Sequence, residues 1–115
     1  MVGTILESPL KPIDHPLANA ASIRALVGPA QGWNDHVMRV LELSQDGYSP
    51  RHSHPWFHVN YIIEGVGTLE IEGVLTTIQA GSYAFVPGGS LHQFRNTGDR
   101  PLRFLCIVPK EGHQG

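Results

Sequence analysis

Four of the seven histidines stand in a pattern that can do chemistry. His52-Ser53-His54 sets two imidazoles two residues apart, and His58 follows four residues later. In extended backbone alternate side chains share a face. An extended segment across 52–58 would therefore aim three imidazoles into one cavity. His92 lies beyond the break at Pro87-Gly88-Gly89 and must arrive from a different element. Neutral imidazole is a good donor to zinc, copper, iron, nickel and manganese. The expectation is one divalent metal ion on His52, His54, His58 and His92. A lone histidine is more often a surface or core residue, and His15, His36 and His113 are read that way. A His-x-His pair alone is a weak signal; its weight comes from what surrounds it.

The elements that must position these rings read as short strands. Residues 1–20 carry Pro9, Pro12 and Pro16 without a sustained period, which predicts an extended, irregular arm. Ser22–Val27 alternates as a first strand, so residues 1–30 are taken as the arm with that strand and residues 31–115 as a barrel. His36–Leu43 is β-rich, and Gln45-Asp46-Gly47 is expected to turn the chain. Phe57–Ile63 is a strong strand, apolar on both faces. One face can line a barrel; the other needs cover from the arm or from another subunit. Thr68–Glu72, Val74–Ile78, Tyr83–Val86, His92–Arg95 and Leu102–Val108 complete the set, separated by Gly and Pro turns. No stretch has a helical period. Many short strands at regular spacing predict an all-β sandwich or barrel.

Composition narrows the rest. A chain of 115 residues suits one domain with one core. Its net charge of −2 gives no basic excess, which argues against nucleic acid and anionic membrane partners. One cysteine, Cys106, excludes an intramolecular disulfide and fits a reducing compartment. No apolar run approaches the roughly 20 residues of a membrane-spanning helix, and no secretory leader is visible at the start. The cytoplasm is the expected location.

The histidine segment and its surroundings resemble the cupin superfamily. The first motif of that family runs roughly G-x5-H-x-H-x3-4-E-x6-G. Here Gly47 precedes His52-Ser53-His54, His58 takes the place of the glutamate, and Gly65 closes the motif. The first gap is one residue short of the common form. The second motif, G-x5-P-x-G-x2-H-x3-N, is matched by Gly81, Pro87, Gly89, His92 and Asn96 without a gap. Longer strings are similar to the small four-histidine manganese cupins of thermophilic bacteria: Met38-Arg39, Arg51 to Trp56, Phe94-Arg95-Asn96, Phe104-Leu105-Cys106 and Val108 to Gly112. This resemblance covers nearly the whole chain after residue 36. It implies a single-domain double-stranded β-helix, a jelly-roll barrel, that forms a homodimer. It also implies a metal centre, manganese first and iron, copper, zinc or nickel as other occupants, that supports metal- and peroxide-dependent oxidation.

Four neutral ligands would leave the full +2 charge on the ion, making it a strong Lewis acid. Strand parity places Phe94, Phe104 and Cys106 toward the cavity, with Arg39 near it; the same residues also suit a plain core. No carboxylate for acid–base work is evident, since Glu70 and Glu72 read as the polar face of a hairpin. The reading is an oxidoreductase of dioxygenase or peroxidase type acting on a small organic molecule. Its rivals are a Lewis-acid lyase or isomerase acting on a hydroxy-carbonyl or sugar-acid substrate, and a non-catalytic binding module.

Overall fold

Glycine and proline punctuate the chain often enough that no strand but one exceeds nine residues. The computed structural model describes residues 1–113. Among these, nine strands form: β1 (Lys11–Pro12), β2 (Asn19–Val27), β3 (His36–Tyr48), β4 (His58–Glu64), β5 (Val66–Ile71), β6 (Val74–Gln79), β7 (Tyr83–Val86), β8 (His92–Asn96) and β9 (Leu102–Pro109). Every pairing is antiparallel, in the order β6-β5-β8-β3-β9-β4-β7, with β2 beside β3 and β1 beside β2. The architecture is a single-domain β-barrel, a curled all-β sheet wrapped around one core, as the cupin resemblance implies.

The long strand β3 makes the curl. Its first part, His36 to Leu43, pairs with Pro109 to Leu102 on β9, whereas its last residue, Tyr48, pairs with Arg95 on β8. One strand thus serves two halves of the sheet. The expected turn at Gln45-Asp46-Gly47 is instead an irregularity inside β3. Asp46 sits at φ 63° and the β2 register shifts between Asn19 and Ala21. A Cβ at Gly47 would lie 2.8 Å from both the Ala20 and the Ser44 carbonyl oxygens, so only glycine lets the backbone close up there. The β5–β6 hairpin does turn at Glu72-Gly73, both at positive φ, the geometry that matches strand twist.

Alternation builds the core. On β9, Leu102, Phe104, Cys106 and Val108 are buried while the residues between them are half-buried. They pack with Leu43, Ile62, Leu69, Ile78 and Val86. On β4 the inward positions are His58, Asn60 and Ile62. Outward, Val59 and Tyr61 are 41% and 50% exposed, and their cross-strand partners Phe85 and Tyr83 are 58% and 86% exposed. The chain's own arm gives this face no cover, because it runs along β2 on the far side of the sheet, with Lys11 opposite Ile23.

Candidate metal centre

The loop from Ser49 to Phe57 delivers two of the histidines. It is not the extended strand expected from the His-x-His-x3-His spacing, because Pro50 and Pro55 each remove a backbone donor. His52 contributes a single bridge, exchanging backbone hydrogen bonds of 3.2 and 3.0 Å with His92. Arg51 clamps the loop to β5 by gripping Glu70 through Nε and Nη2 at 2.8–3.2 Å. The His54 carbonyl accepts the Gly89 N–H at 2.7 Å. His58 then opens β4 and His92 opens β8. The four rings converge by tertiary folding rather than by strand parity.

Hydrogen bonds fix which nitrogen three of the four rings present. Nδ1 of His54 faces the Trp56 carbonyl at 2.8 Å, and Nδ1 of His92 faces the Ser90 carbonyl at 2.9 Å. A carbonyl only accepts, so each Nδ1 carries the proton and each Nε2 keeps its lone pair. Nδ1 of His58 meets Oδ1 of Asn60 at 2.6 Å, while the Asn60 amide donates to the Leu105 carbonyl at 3.2 Å. His58 is therefore an Nδ1–H tautomer too. The Nε2 atoms of His58 and His92 stand 3.1 Å apart. Two lone pairs this close repel each other unless a cation lies between them. Imidazole–metal bonds of about 2.0–2.1 Å meeting at a right angle would separate two nitrogens by about 3.0 Å. The donor set thus fits a metal ion.

His52, His54 and His92 offer ring nitrogens all within 4.8 Å of one another, a three-histidine group able to hold a metal. His58 stands outside that mutual set and touches it through His92. Burial keeps the rings neutral. It is the main cause that pushes His52 down to about 4 and His58 down to about 3, with neighbouring rings adding to it, and it also lowers His54 and His92. His54 stacks on Trp56 at 5.0 Å and 13°, which holds its plane.

The rings open on a cavity of about 410 Å³. Arg39, Phe94, Phe104 and Cys106 all line it. Phe94 and Phe104 stack 4.0 Å apart and are nearly fully buried, so they serve the core and the cavity wall together. The arm supplies a wall that the sequence did not announce: Lys11 to His15 border the cavity, and His15 meets His52 edge-on at 6.0 Å. Asp14 thereby brings a carboxylate to a cavity where none was expected. His36 stacks on Trp33, and His113 lies 3.4 Å from Arg39. Asn60 could have been found from its parity with His58 on β4; nothing local marks Asp14 or His15.

A small antiparallel barrel with clustered histidines that could hold a metal ion defines the class of protein. The cupin domain model matches residues 39–108, and the chain belongs to the cupin family. It is 31% identical over 74 residues to the 1-methylthio-D-xylulose 5-phosphate methylsulfurylase of Rhodospirillum rubrum, a match covering 64% of this chain and 47% of that protein. It is 35% identical over 52 residues to an oxalate-binding protein of Thermotoga maritima, covering 45% of this chain and 43% of that one. The matched segments thus span less than half the length of these relatives. Among solved structures, the polyketide cyclase RemF of Streptomyces resistomycificus superposes with a TM-score of 0.88 at 26% identity, covering 95% of this chain and 78% of that one.

Proposed function

We propose that the protein is a metal-dependent oxidoreductase of dioxygenase or peroxidase type, acting on a small, partly apolar molecule at His52, His54, His58 and His92. The observation that carries this reading is the pair of facing Nε2 lone pairs on His58 and His92, set in a cavity that a small molecule can enter. Manganese is the proposed occupant, with iron or copper able to serve. Such an ion, when bound, supplies redox chemistry toward oxygen or peroxide. The protein's own part is preorganisation. Asn60, Trp56 and Ser90 hold the proton of their respective rings on Nδ1, and Phe94 with Phe104 keeps one wall dry. We further propose that the working unit contains a second copy of the chain.

A second reading, a Lewis-acid lyase or isomerase, draws support from Asp14, a carboxylate on the cavity wall. Metal replacement separates the two. The protein is stripped, reloaded with manganese, iron, copper or zinc, and assayed for peroxide-driven oxidation and for elimination side by side. Oxidation with the redox-active ions and none with zinc is expected. Equal turnover with zinc would transfer the case to the Lewis-acid reading, and no turnover with any ion would leave a binding module.

A further inference from the structure

The cavity holds a cation that the metal site does not use. Arg39 sits on β3 opposite Cys106 of β9, and its side chain borders the cavity. One end is tethered: Nη1 donates to the Gly112 carbonyl at 3.3 Å and lies 3.4 Å from Nδ1 of His113. Nε is buried and has no hydrogen-bond partner among the described residues. No carboxylate among those residues forms an ion pair with it. A guanidinium edge removed from water and left unpaired is costly. Among the described residues the surroundings do not offset it: the imidazoles are neutral, a divalent ion on them would add positive charge, and the one acidic residue lining the cavity there, Asp14, is accompanied by Lys11.

We propose that Arg39 is an anion subsite, and that the molecule the cavity takes is a small carboxylate whose apolar body lies between that guanidinium and the imidazoles. The proposal deepens the metal-centre reading and rests on it for the second anchor. A carboxylate suits better than a doubly charged anion, because one guanidinium offers one positive charge and a planar fork of donors. The flat Phe94–Phe104 stack suits a planar apolar body. The Arg39 charge also reaches the metal site, where it adds to the lowered basicity of His52, His54 and His58.

The test uses matched pairs that differ only in charge: acetate against acetamide, and benzoate against benzamide. Each is titrated calorimetrically into zinc-loaded protein, where no redox turnover interferes. The wild-type protein should prefer a carboxylate over its amide by about tenfold or more. Arg39→Gln should bring that ratio close to one with zinc content and melting temperature unchanged, and Arg39→Lys should restore part of it. No preference in the wild type overturns the proposal. So does a preference that survives Arg39→Gln, which would put the carboxylate on the metal. Repeating the titration on metal-free protein separates the two ideas: failure to take up zinc refutes the metal centre, while a benzoate preference that persists there upholds Arg39.

Discussion

Asn60 and His58 are joined on the inward face of β4 by a hydrogen bond of 2.6 Å from Nδ1 to Oδ1, and Asn60 is itself pinned to the Leu105 carbonyl. The amide thereby sets the tautomer and the plane of a ring two residues away. Replacing Asn60 by leucine should leave the barrel folded but weaken metal binding by about 10–100-fold, the usual worth of an outer partner of a ligand. Chelator competition measures this; an unchanged affinity would show that His58 needs no such orientation.

Replacing the proposed ligands themselves should be harsher and should differ by position. His92→Ala removes the ring that touches all three others, so it should abolish stoichiometric metal binding. His58→Glu places the carboxylate that the family motif carries at this slot. It should keep the metal, lower the net charge of the site and favour the trivalent ion. Peroxide-driven oxidation should then speed up and Lewis-acid turnover slow down. Metal content and both rates, read together, decide whether His58 tunes the ion.

Acid should destabilise the metal-free protein in a defined window. His52 and His58 titrate in the folded chain at about 4 and about 3, below their ordinary value of 6.5. Below 6.5 the unfolded chain therefore binds more protons than the folded one, and stability falls as pH drops from about 6.5 toward 4. Above 7 these rings contribute no slope. Thermal melts of stripped protein between pH 8 and 4.5 should show a plateau and then a decline; a flat profile would mean the rings are better solvated than their burial indicates.

The exposed row on β4 and β7 bears on assembly. Val59, Tyr61, Tyr83 and Phe85 form two adjacent cross-strand pairs on the outer face. An apolar row of this kind, repeated on a twofold-related copy, is self-complementary. Sedimentation should find a dimer at micromolar concentration, and the double variant Tyr83→Glu, Phe85→Glu should be monomeric with its metal site intact. A monomeric wild type would dispose of the homodimer.

Legibility in the sequence followed the range of the interactions involved. Turns marked by Gly65, Gly73 and Gly81 delimit β4 to β7 within a residue or two, because a turn is a local demand on φ and ψ. The histidines that converge were readable as a group from spacing shared with a family, although the structure brings them together through a loop and two strands rather than one extended strand through His58. The Asp46-Gly47 irregularity resembled a turn because a bulge and a turn ask for the same residues; only the partner strand distinguishes them. The wall built by Lys11 to His15 was invisible for a stronger reason: its place depends on β1 pairing with β2, a contact with no local signature.

That wall has a consequence for what shapes the cavity. The family match begins at Arg39, so Lys11 to His15 border the cavity from outside the shared frame. The four histidines lie inside that matched segment, whereas this part of the cavity wall lies outside it. Substitutions at 11–15 would therefore reshape the cavity without altering any of the four histidines. The barrel alone therefore does not define the shape of the cavity; five residues of the arm complete it.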